Sequence, residues 1–252
     1  MSTREERSTA RRLRAQWLLW WRWVGASAAG ELVGLPLAAL IVSTAIGNSV
    51  GVAGLLWLAA GALAGIVNGA MVGGLQWLAL RRTVQQLSGW RWTLATALGS
   101  ALPWALGMNM RSSLHLAQGN DEAVLGAMLL MGLLTGTALG GAQWLVLRRL
   151  LHQAGWWAPA SVLAWLQGLV VLVGGASLIQ AGIPLWNLLL VSGVTGLIIG
   201  SLVGIITGVV LVGLTSVHVV RSLSLSRAPQ PRSRVTAFSR PAALELVGAK
   251  EH

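Results

Sequence analysis

The chain has 252 residues, 55% of them hydrophobic and only 10% charged, with a mean hydropathy of +0.69; these values exclude an ordinary soluble domain and a disordered chain. A net charge of +11 is spread over many short segments, which is how membrane topology signals look and not how a nucleic-acid patch looks. No cysteine is present, which excludes disulfides, thiolate nucleophiles and cysteine metal sites.

In chain order, a basic arm over residues 1–20 leads into six apolar stretches, each long enough for the roughly 20 residues that a bilayer-spanning helix needs. They run from about Val24 to Ile46, Leu55 to Leu80, Thr93 to Met110, Ala123 to Leu147, Ala158 to Leu178 and Leu185 to Leu214. The first carries Glu31 and is longer than the apolar core of a secretory signal, so it reads as a retained helix. None shows the alternation of a barrel strand. A loop from Asn109 to Glu122 joins the third and fourth stretches, and a basic, Ser-rich and Pro-containing tail over 221–252 reads as disordered. With the N-terminus inside, every Lys and Arg of the 18 except Arg111 falls on the inner side. That bias predicts that both termini are cytoplasmic.

The segment GGLQWLALRR, Gly73 to Arg82, returns as GGAQWLVLRR, Gly140 to Arg149. The preceding glycines align too, Gly65, Gly69 and Gly73 with Gly132, Gly136 and Gly140, and a third ladder follows at Gly200, Gly204 and Gly208 with its QWLxLRR ending lost. Trp21-Arg22-Trp23, Trp90-Arg91-Trp92 and Trp156-Trp157 open the intervening stretches alike. The fold expected is therefore an all-α integral membrane protein of six transmembrane helices, arranged as three tandem parallel-repeat hairpins with approximate threefold symmetry. The hairpins cover residues 21–89, 90–155 and 156–220. Glycines four apart let helix backbones approach closely, so all nine ladder glycines are expected at helix contacts.

Candidate sites fall in two places. Gln76, Trp77, Arg81 and Arg82, with Gln143, Trp144, Arg148 and Arg149, end two helices at the inner interface, where tryptophan rings and arginines fix helix depth. The same residues form a rim suited to anionic lipid headgroups or to a partner's carboxylates. Fourteen tryptophans stand beside no tyrosine and one phenylalanine. Trp17, Trp20, Trp21, Trp23, Trp77, Trp90, Trp92, Trp144, Trp156 and Trp157 all map to that interface as anchors. The second place is where the copies differ. Glu31 is an acid inside a span and matches Ser100 and Trp165, and with Asn68 and Gln167 it could form an intramembrane polar site for a proton, cation or small substrate; a neutral Glu31 bonded to a neighbouring helix is the plainer account.

No catalytic constellation, zinc spacing, haem ligand pair or phosphate-binding glycine loop is present, so neither catalytic residues, a metal nor a cofactor is expected. The outer loop groups Arg111, His115, Asp121 and Glu122, a pattern that loop polarity explains. The GGxQWLxLRR endings followed by GWW or WRW starts resemble a group of uncharacterised bacterial multi-pass membrane proteins that repeat this pattern. The resemblance implies a bacterial inner-membrane setting and supplies no activity. The leading expectation is a non-enzymatic scaffold or accessory subunit holding lipids or membrane-complex subunits at its cytoplasmic face. A small transporter or channel with a path past Glu31 is the alternative, and a lipid-modifying enzyme ranks third.

Overall fold

The computed structural model describes the backbone of residues 2–47, 53–116, 121–180 and 182–227, and the side chains within 6–45, 54–107, 122–180 and 182–216. Among the described residues the long elements are six helices: α1 (Ser2–Gly47), α2 (Ala53–Leu80), α3 (Gly89–Leu116), α4 (Asp121–Leu147), α5 (Trp157–Ser177) and α6 (Leu185–Arg227), with one 3-10 turn at Ala154–Trp156. Leu, Ala, Val and Gly dominate their middle portions, and continuous helix pairs the backbone donors and acceptors of such apolar segments within the segment itself. Pro36 and Pro103 lie inside α1 and α3.

Five helices, α1, α2, α4, α5 and α6, are long and apolar enough to cross a membrane. Among the described residues, the sixth expected span, in α3, does not reach that level. Arg91, Thr93, Thr96 and Ser100 dilute its described part. Helix also extends further than expected at three places. α1 takes in the basic arm, α6 runs to Arg227 and so into the expected disordered tail, and α3 and α4 reach into the expected outer loop as far as Leu116 and Asp121. The rest of the tail, 228–252, lies outside the described residues, as do the side chains of Arg111, His115 and Asp121.

Each helix packs against the next in sequence, and α6 packs against α1, so the six close into a ring. Where α1 and α6 leave the ring together, Gln16 Nε2 donates to Ser216 Oγ at 2.8 Å. The turns after α2 and α4 are built alike. Arg81 and Arg148 N–H groups donate to the Trp77 and Trp144 carbonyls, each at 2.8 Å, and Val84 and Leu151 bond back to Leu80 and Leu147 at 2.9 and 2.8 Å. Leu80, Val84, Leu87, Leu147, Leu151 and Ala154 from these turns, with Leu19, Leu211 and Leu214, form one apolar cluster at this arginine-rich end.

Beside its apolar clusters the interior holds polar side chains, while large apolar ones face outward. Ser27, Glu31, Asn68, Gln76, Thr96, Ser100, Gln143, Ser161 and Thr207 are buried, whereas Leu63, Leu98, Leu129, Leu163 and Val209 are each more than half exposed. Water would not favour that arrangement, because roughly 25 cal/mol per Å² of apolar area stays unburied.

Candidate functional site

Trp23, Trp92 and Trp157 begin the inward faces of α1, α3 and α5, and all three are fully buried. Their rings meet edge to face around the centre, with centroids 6.2 Å (Trp23 to Trp92), 5.6 Å (Trp23 to Trp157) and 6.1 Å (Trp92 to Trp157) apart. This geometry suits the ring quadrupoles. These three are therefore not interface anchors, although Trp17, Trp21, Trp90 and Trp156 are outward and exposed as expected. The spacing Trp-Arg-Trp turns one ring out and the other in.

Beside the triangle, a buried polar chain ties five helices together. Trp157 Nε1 donates to Gln143 Oε1 at 3.0 Å, and Gln143 Nε2 donates to Gln76 Oε1 at 3.2 Å and to Thr96 Oγ1 at 3.1 Å. Gln76 Nε2 then donates to Ser27 Oγ at 3.1 Å. Trp23 Nε1 donates to Thr207 Oγ1 at 2.9 Å, while Trp92 Nε1 is buried without a partner. Gln76 and Gln143 thus belong to the core and not to the rim, which corrects their expected placement. The signal was present in the sequence: Gly69, Gly73, Gln76 and Leu80 are spaced by four, three and four residues and so share one helix face.

The glycine contacts explain how the helices come so close. A Cβ on Gly69 would stand 2.6 Å from the Thr96 carbonyl oxygen, and one on Gly65 would stand 2.6 Å from that of Ser100. Gly136 meets Ser161 and Val162 in the same way, and Gly132 meets Trp165 and Leu166. On α6 the matching contacts are made by Gly196 against Glu31 and by Gly200 against Ser27 and Ala28, with Gly204 against Val24 and Ser27 as Gly73 and Gly140 lie against Thr96 and Ser161. The third ladder therefore starts one turn earlier than expected. Gly208 lies instead against the rings of Trp20 and Trp23, and Thr207 occupies the place of Gln76 and Gln143.

The rim keeps its remaining residues. Arg81 lies over the Trp77 ring at 5.7 Å and Arg148 over Trp144 at 5.0 Å. Arg91 stacks similarly on Trp90 at 5.4 Å. Such contacts hold a guanidinium in place without neutralising it. Arg82 and Arg149 are exposed beside them, so each of the two turns presents a pair of arginines.

The second candidate place is only partly assembled. Glu31 is 4% and Asn68 2% exposed, and the Asn68 amide donates to the Glu31 carboxyl group. Asn68 Oδ1 and Trp165 Nε1 are buried without partners. Gln167 is not part of this group. It lies on the outer surface of α5 and is exposed, because it follows the inward Trp165 by two residues, about 200° around a helix of 3.6 residues per turn. Among the described residues no three His, Asp or Glu side chains come together as metal ligands. The chain matches no protein-family model, no curated protein sequence and no solved structure.

Proposed function

We propose that the chain is a non-enzymatic multi-pass protein of the bacterial inner membrane, with both termini cytoplasmic, that serves as a scaffold or accessory subunit. It holds anionic phospholipid headgroups at its arginine- and tryptophan-rich end. The observation that carries this reading is a filled centre combined with a prepared rim. The tryptophan triangle and the glutamine chain occupy the middle of the ring, and the stacked arginines of two like turns remain free to bond phosphate oxygens. The exposed leucines give the acyl chains an apolar wall.

We read the architecture as three hairpins about an approximate threefold axis normal to the membrane. In support, Trp23, Trp92 and Trp157 are fully buried alike, as are Leu80, Leu147 and Leu211. The glycines of α2, α4 and α6 also touch corresponding residues of the neighbouring helices. The third turn lacks the arginine pair, since Val212 and Gly213 stand where Arg81-Arg82 and Arg148-Arg149 stand in the others. Two lipid sites per chain follow.

Native mass spectrometry of the full chain released from its own membrane tests this. Wild type is expected to retain up to two anionic phospholipids, Arg81→Gln with Arg82→Gln one, and the fourfold variant that adds Arg148→Gln and Arg149→Gln none. Equal lipid retention by all three sinks the lipid reading.

A second reading, proton or cation transport past Glu31, has one observation in its favour: the buried carboxyl is bonded to Asn68, whose own Oδ1 is buried without a partner. In that case Glu31→Gln abolishes flux in reconstituted vesicles, and unchanged flux, or none from wild type, removes it.

A further inference from the structure

Gln167 departs from its surroundings on the outer face of α5. Its neighbours on that face, Leu163 and Val170, are 59% and 60% exposed. They lie four residues before and three after it, so one stripe holds all three. Gly174 continues the stripe, and a Cβ there would meet nothing within 4 Å. The corresponding positions of α1 and α3 lie two residues after Glu31 and Ser100. They hold Val33, 47% exposed, and Leu102, 51% exposed. Two of three like positions are therefore apolar, and the third carries an exposed amide.

On the membrane reading above, that position is deep. Gln167 is ten residues beyond Trp157, about 15 Å at 1.5 Å per residue, which places it near the middle of a hydrocarbon core of about 30 Å. Lipid offers neither donor nor acceptor to an amide. A glutamine side chain is its own complement, however, with one acceptor oxygen and two N–H donors. Two copies related by a twofold axis along the membrane normal would set α5 against α5, and each Nε2 would donate to the other Oε1. Gly174 would let the two backbones approach on the same stripe.

We propose that the chain pairs with a second copy of itself through the Leu163, Gln167, Val170 and Gly174 face of α5, with the two Gln167 amides bonded to one another. A twofold contact of this kind is self-complementary and closes at two copies.

The natural chain has no cysteine, so single-cysteine variants can be oxidised in native membranes with the full chain. The expected result is disulfide-linked dimer from Leu163→Cys, Val170→Cys and Gly174→Cys, and at least tenfold less from Val33→Cys and Leu102→Cys. Gln167→Leu in the Val170→Cys background should lower the dimer fraction at least tenfold and Gln167→Asn should restore part of it, with the tryptophan fluorescence melting profile unchanged to show that the chain still folds. Equal crosslinking at α1, α3 and α5, none at α5, adducts only with another protein, or indifference to Gln167→Leu would overturn the pairing. Carbonate extraction of the same membranes separates the two levels of argument. A chain left in the pellet that fails to crosslink refutes the pair alone, and a chain in the supernatant refutes the membrane reading and the pair with it.

Discussion

At the scale of single residues, the interior separates glycines by what they face. Gly69 lies against the backbone of α3, and Gly74, its near neighbour on α2, faces open space. Gly69→Ala should therefore push α2 from α3 and cost about 1–3 kcal/mol through overpacking, whereas Gly74→Ala should be neutral or stabilise by up to about 1 kcal/mol, the difference in helix propensity. Denaturant titration in mild detergent checks the pair, and equal effects would refute the contact. Gln143 bonds Trp157, Gln76 and Thr96. Gln143→Leu leaves the Trp157 and Gln76 groups without partners and should destabilise by about 1–3 kcal/mol. Gln76→Leu should cost less, because Gln143 retains Thr96 and Trp157.

At the scale of elements, the tryptophan triangle allows a graded test of how α1, α3 and α5 are held together. Trp157 has both ring contacts and a hydrogen bond to Gln143; Trp92 has ring contacts, and its Nε1 has no partner. Trp157→Phe should cost more than Trp92→Phe by about 0.5–1.5 kcal/mol, the worth of one intramolecular hydrogen bond. Alanine at either position should cost about 3–5 kcal/mol. Thermal unfolding followed by tryptophan fluorescence and circular dichroism measures the order, and the reverse order would contradict the bonding pattern. The helix contacts also explain a limit of sequence reading. Gly196, Gly200, Gly204 and Gly208 repeat every four residues, so an alignment on glycines alone slides by one turn without penalty. Only the residues opposite, Glu31, Ser27 and Val24, decide the register.

At the scale of the whole molecule, the ring closes through α1 and α6, and these two helices leave it side by side at Gln16 and Ser216. A circular permutant that links the ends and opens the α2–α3 turn between Gln85 and Gln86, both exposed, should insert and unfold with a midpoint within a few degrees of wild type. The packing between helices is unchanged by that cut, and exposed turns accept new termini. A permutant that fails to assemble would argue that α1 must lead the fold.

The sequence by itself determined that the chain is helical, that it carries long apolar stretches and that it repeats the QWLxLRR segment, because composition, span length and a repeated motif act locally and need no partner to be read. It also carried the glycine contact face of α2 and α4, since a period of four can only mark one side of a helix. Only the tertiary structure decided which tryptophan of each opening turns inward, that Gln76 and Gln143 join the core while Gln167 faces out, and where the third ladder starts. These depend on the rotation of each helix about its own axis, and that rotation is fixed by the surface of the neighbour against which it packs.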